Sequence, residues 1–217
     1  MTDPRRIFFL IYDDMEILDL TGPYDVFSMS NIIMENNPDH AVGMRKFEMF
    51  MVSPARKTVE AMHGLKVVPD YGFDDCPLDE IDVLIVPGGT VKLMFGFEKV
   101  YPTALDWLAD AAGKADTFAS ICIGGLIAAK AGLFAGLKAT THHDFHAQLA
   151  TFSQNKATVL PGARYVDNGE DARVLSSAGV SAGIDLAFHM LEQFTSPVIR
   201  RKTESLMEYN GTTNWVY

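Results

Sequence analysis

Short apolar runs of four to six residues alternate with helix-patterned stretches from one end of the chain to the other. That alternation is the strongest constraint on the fold, because strands separated by helices favour parallel pairing in one sheet covered on both faces. The clearest strands are Ile7 to Tyr12, Phe47 to Val52, Val83 to Val86, Thr117 to Cys122 and Arg173 to Ser176. Several are apolar throughout, as a strand buried on both faces must be. Helices are expected at Asp25 to Met34, Pro102 to Ala112, Gly125 to Ala131, Asp144 to Ala150, Ala182 to Gln193 and Pro197 to Met207. Thr141 with Asp144 reads as a capping box for the fourth of these, and Pro197 suits the first turn of the last. Asn36 to Gly43 reads as a loop, and "VEAMHGLKVVPDYGFDD" as a hairpin element turning at Gly64. These elements predict an α/β fold, a three-layer α/β/α sandwich with a mostly parallel central sheet.

Length and composition narrow the classes. At 217 residues the chain suits one domain spanning 1–217, with roughly three quarters of its surface buried on folding. A net charge of -10, with basic groups no denser than Arg5-Arg6 and Arg200-Arg201-Lys202, argues against nucleic acid, which demands clustered cations to release phosphate counterions. The first apolar run stops at Asp13 and Asp14, too short for a signal peptide or a membrane span. Two cysteines, Cys76 and Cys122, in unrelated surroundings suggest a reducing cytoplasm in place of a disulfide framework.

Ligands of open α/β sheets sit beyond the carboxyl ends of the strands. Three such ends carry notable residues: Asp19 in "EILDLTGP", Gly88-Gly89-Thr90 in "VLIVPGGT", and Cys122 in "ASICIGG". Cys122 stands between a strand and a helix start, where a tight turn can expose a nucleophile and helix amides can lower a thiol pKa from about 8.5. The competing reading is an inert core cysteine. Asp19 among apolar neighbours is either a cap for the helix beyond Pro23 or a buried acid with a raised pKa. Glu16 competes for that role from what reads as a solvated loop. "PGGT" matches neither G-x-G-x-x-G nor a P-loop, which disfavours dinucleotides and nucleoside triphosphates. His142, His143, Asp144 and His146 invite a metal reading, but helix-start histidines are usually solvated, and no metal is expected. Cys76, flanked by carboxylates, reads as structural.

Together, "LDLTGPYDVF", "DVLIVPGGT", "SICIGGLIAAKAGLFAGLKATTH" and "SAGVSAGIDLAFHMLE", in that order, resemble the DJ-1/PfpI superfamily. Within it, isocyanide hydratase and the amidase-like domain of AraC-type regulators are most alike. The resemblance implies a flavodoxin-like, DJ-1-like sandwich, a homodimer and a small-molecule substrate. It implies Cys122 as nucleophile and Asp19 as its acidic partner, with backbone amides around Gly89 and Ile123 steadying charge. No cofactor or metal is implied. The reaction would add water to an isocyanide, giving an N-substituted formamide through a cysteine thioimidate. Two positions depart from the hydratase pattern: Ile123 replaces a threonine after the cysteine, and His143 replaces a tryptophan after "ATTH". Ile123 also removes the Cys-His pair of PfpI-type peptidases. The alternatives are a ligand or redox sensor without catalysis, or a glyoxalase or deglycase acting on small aldehydes. No helix-turn-helix module follows before the final "EYNGTTNWVY", so control of DNA would need a partner chain.

Overall fold

A computed structural model describes residues 3–170 and 172–209; the tail from 210 onward, including "NGTTNWVY", lies outside the described residues. The strands are β1 (Arg5–Leu10), β2 (Phe47–Ser53), β3 (Val59–Glu60), β4 (Lys66–Val67), β5 (Tyr71–Gly72), β6 (Val83–Val86), β7 (Thr117–Ser120), β8 (Lys138–Ala139), β9 (Thr158–Val159), β10 (Tyr165–Asp167) and β11 (Val174–Ser177). The helices are α1 (Ile17–Asn36), α2 (Val91–Val100), α3 (Ala104–Lys114), α4 (Gly124–Lys130), α5 (His146–Phe152), α6 (Ala182–Phe194) and α7 (Pro197–Leu206).

Seven strands form the central sheet in the order β10-β11-β7-β6-β1-β2-β5. Every pairing is parallel except that of β10 with β11 at one edge. β3 and β4 make the expected hairpin, with Gly64 in its turn at φ +91°. Helices α1, α6 and α7 pack together in one layer, and α2, α3 and α5 pack around α4 in another. This is the three-layer sandwich expected from the alternation of strands and helices. The continuous apolar runs Ile7 to Leu10 and Val83 to Val86 are buried without exception, which is why they lack a polar face.

The chain leaves β1 for β2 on one side and later returns to β6 on β1's other side. Such a reversal opens a crevice at the carboxyl ends of the two strands, where neighbouring connections diverge. Asp19 follows β1, Gly88 follows β6, and Cys122 follows the adjacent β7, so all three come from the rim of that crevice.

Three expectations need correction. Helix α1 begins at Ile17, eight residues before the expected start, with Pro23 inside it. Glu16 is its N-cap, in extended conformation with its carboxylate accepting from the Leu18 N–H at 3.4 Å; Asp19 is in the first turn and is not the cap. Pro23 lacks an N–H, so the helix loses the bond to the Asp19 carbonyl there and still continues to Asn36. Strand β7 stops at Ser120, because Cys122 has left extended conformation. The Thr141/Asp144 capping box does not form. His142 accepts the Asp144 N–H, and the Thr141 hydroxyl instead donates to the Cys122 carbonyl at 2.7 Å.

Candidate active site

Cys122 has φ +54°, a left-handed conformation that few residues other than glycine adopt. The surrounding structure holds it there. Ile121 N–H donates to Val86 O at 2.9 Å, Cys122 N–H to Ala178 O at 3.1 Å, and Gly124 N–H to Ile121 O at 2.9 Å. Gly124 lets the turn press against the end of β6: a Cβ there would lie 2.5 Å from the carbonyl oxygens of both Val86 and Pro87. The glycine two residues after the cysteine is therefore a packing requirement, and the strained turn beyond the end of β7 sets the Cys122 side chain beside Asp19.

The Asp19 carboxyl meets that side chain. Asp19 is fully buried; its Oδ2 accepts the Gly88 N–H at 2.8 Å, while Oδ1 has no hydrogen-bond partner. A Cβ on Gly88 would lie 3.0 Å from Asp19 Oδ2 and 3.0 Å from the Ile123 nitrogen. Asp19, Gly88 and the start of α4 thus touch in one place. Burial pushes the Asp19 pKa up to about 8, against the pull of the Gly88 amide; Glu16 adds to the rise and the Cys122 thiol opposes it. At neutral pH Asp19 is a carboxylic acid, the form that can give a proton away.

The thiol does not follow the expectation of a helix-lowered pKa. Burial raises it to about 12, and the neighbouring Asp19 adds to that rise; the backbone amides of Val180 and Ile123 pull the other way and are outweighed. Helix α4, only seven residues long, does not offset the desolvation of a cysteine that is 6% exposed. Below pH 8 the Cys122–Asp19 pair holds two protons, and the first leaves near 8, from the carboxyl end of the pair.

Two amides reach the sulfur, from Ile123 and Val180. Ile123 was expected there. Gly89 was expected too; it stands in an antiparallel bridge with Met15 whose hydrogen bonds come from the flanking Glu16 and Thr90 N–H groups, and the glycine amide seen bonded at the site is that of Gly88, on Asp19. Val180 was not foreseen. It has φ +43°, an outlier for a β-branched residue, and this strain brings its N–H round to Cys122. The only hint in sequence is the glycine-flanked "SAGVSAG", and valine is the residue least expected in that conformation.

His142, His143 and Asp144 come together beside this segment, whereas His146 opens α5 and hydrogen-bonds the Thr141 backbone. Cys76 is half-buried, its pKa pushed up to about 12 by burial and Asp75. Glu16 is occupied as the cap of α1. No helix among the described residues is long and apolar enough to cross a membrane.

The fold and the elbow cysteine define a flavodoxin-like α/β protein with a thiol–carboxyl pair at the switch point of its sheet. The chain belongs to the DJ-1/PfpI family, whose model matches residues 5–193. It is 30% identical to an isonitrile hydratase of Pseudomonas putida over 94% of this chain and 78% of that protein. It is 28% identical, over 63% of this chain and 72% of the relative, to a deglycase of Pyrococcus horikoshii. A THiJ/PfpI family protein from Pseudomonas syringae superposes with a TM-score of 0.79 at 28% identity, over 99% of this chain and 78% of that one. An AraC family transcriptional regulator from Pseudomonas putida shares the fold, with a TM-score of 0.76 at 19% identity over 94% of this chain and all of that one. Named relatives thus include both enzymes and regulators.

Proposed function

We propose that this protein is a cysteine-dependent hydratase of isocyanides. The observation that carries the reading is the Asp19 carboxyl, buried beside the elbow thiol, with a pKa of about 8 and an unpartnered Oδ1. The similarity to an isonitrile hydratase supports the choice of substrate class.

The terminal carbon of an isocyanide accepts both a nucleophile and a proton. In the reactive form the pair carries one proton, on the Cys122 sulfur, and the Asp19 carboxylate takes that proton as the sulfur becomes the nucleophile. Sulfur bonds to the terminal carbon, Asp19 protonates that same carbon, and the carbon–nitrogen triple bond becomes a double bond. The product is a thioimidate on Cys122. Water then adds to its carbon while Asp19 recovers a proton from it. The second hydrogen of the water ends on nitrogen as the carbon–sulfur bond breaks, releasing the N-substituted formamide and the sulfur. One isocyanide and one water give one formamide, and the covalent step divides one hard addition into two easier ones. The Ile123 and Val180 amides favour the anionic sulfur as it forms and as it leaves.

The test is formamide production from a set of alkyl and aryl isocyanides by the wild type and Cys122→Ala. The proposal predicts turnover by the first and none above background by the second. No formamide from any of them with intact Cys122 sinks it. A second reading, a ligand-sensing module without turnover, is supported by a transcriptional regulator of Pseudomonas aeruginosa that is 24% identical over 87% of this chain and 46% of its own length. Saturable isocyanide binding without formamide favours that reading. Turnover of methylglyoxal in a parallel assay favours deglycase-type chemistry.

A further inference from the structure

We infer that His142, His143 and Asp144 form a binding site for a transition-metal dication such as Zn2+, a site separate from the Cys122–Asp19 pair. One ligand atom from each residue lies within 4.8 Å of the other two. His142 Nδ1 is 3.7 Å from Asp144 Oδ2, and His143 Nε2 is 3.5 Å from Asp144 Oδ1. A tetrahedral ion with bonds of about 2.0–2.1 Å sets its ligands roughly 3.4 Å apart. Each imidazole already stands near that distance from one oxygen of Asp144, His142 from Oδ2 and His143 from Oδ1, so the ion requires the side chains to rotate until both nitrogens face the same oxygen.

The imidazoles are prepared for it. His142 Nδ1 accepts the Asp144 backbone N–H at 3.3 Å, which leaves a lone pair on Nδ1 and the hydrogen on Nε2. That hydrogen bond, which a metal would replace, is long and weak. The His142 ring is fixed by its neighbours: it stacks on His143 at 4.2 Å and lies where a side chain on Gly179 would be, 2.4 Å from that Cβ position. His143 borders a cavity of about 490 Å³ that it shares with His146 and Arg164. Two nitrogens and one carboxylate oxygen suit zinc, cobalt or nickel better than the oxygen-seeking Mg2+ or Ca2+, and three protein ligands leave a fourth position for water.

The site adjoins the catalytic candidate without sharing a residue with it. Thr141, next to His142, bonds the Cys122 carbonyl, and Gly179 precedes Val180.

The experiment uses tag-free, full-length protein stripped of metal and titrated with Zn2+ by calorimetry, then with Co2+ read by visible absorption. We expect one ion per chain and the intense visible bands of tetrahedral cobalt. The same stoichiometry is expected in a Cys76→Ser/Cys122→Ala variant, which removes both thiols. His143→Ala and Asp144→Asn alter exposed side chains, 78% and 66% accessible, so both fold. Each should weaken binding by roughly 100-fold or more, since even losing a partner of a ligand costs about 10–100-fold. Binding that survives both substitutions, that vanishes with the thiols, or that is absent at millimolar Zn2+ overturns the assignment.

Discussion

Replacing Asp19 by Asn removes a titrating group whose pKa lies at about 8 in the folded protein and at 3.8 for an ordinary aspartate. A carboxyl with a raised folded pKa supports stability at low pH and withdraws that support as pH climbs through the interval between the two values. The shift is about four units, and each unit corresponds to 1.36 kcal/mol. Wild-type stability should therefore fall by up to about 1.4 kcal/mol per pH unit between roughly pH 4.5 and 7.5 from this group alone. Asp19→Asn keeps an oxygen for the Gly88 N–H and has no such slope. Urea denaturation of both proteins at pH 5, 6, 7 and 7.5 isolates the effect: the stability of the variant relative to wild type should rise by roughly 3 kcal/mol across that range. The fixed cost of burying an amide shifts the whole difference and leaves its slope unchanged. A difference that is flat in pH would refute the claim that Asp19 holds a proton at neutrality.

Four further outcomes follow from the same geometry. The log of kcat/KM for isocyanide should rise by about one unit per pH unit and level off above about pH 8, because the pair must lose its first proton to become reactive; a plateau already reached by pH 6 contradicts this. Gly124→Ala sets a methyl 2.5 Å from two carbonyl oxygens, so a loss of roughly 1–3 kcal/mol and of most activity is expected from thermal melts and assays. Val180→Gly relieves a φ of +43° and keeps the amide, so its stability should stay within about 1 kcal/mol of wild type, unlike an ordinary valine-to-glycine change. Mild peroxide should leave Cys122 unoxidised by mass spectrometry, because a buried thiol with its pKa near 12 holds almost no thiolate; selective sulfinate there would revive redox sensing.

The strands were readable because burial on both faces leaves no polar residue to interrupt them, as in Val83 to Val86. Helix α2 was not readable. It carries Gly96 at φ -122° and ψ 19°, a break that spoils its periodicity. β10 has three residues and pairs antiparallel at the sheet edge, too short to carry a pattern. The start of α1 was hidden by Pro23, whose effect on a helix depends on which carbonyl it strands. At the site, Cys122 was legible through its place between an apolar run and glycines, and Asp19 through its apolar neighbours. The thiol's raised pKa was not, because burial depends on what the rest of the chain lays over it. Val180 was hidden for a related reason: its backbone conformation opposes its own preference and is imposed from outside.

The Ile123 side chain is buried, and a Cβ on Gly88 would meet it at 3.0 Å. It therefore packs the base of the crevice, while its amide remains at the sulfur. An isoleucine here adds no hydroxyl, so the proposed chemistry rests on the thiol–carboxyl pair alone.

The most direct measurement is rapid acid quenching of the protein with an isotopically labelled isocyanide, followed by peptide mass spectrometry. The account predicts a label on the peptide containing Cys122, with the mass of one isocyanide added to the thiol, appearing before formamide and disappearing as formamide accumulates. Formamide release with Cys122 never labelled, or a label that forms and stays, would contradict it.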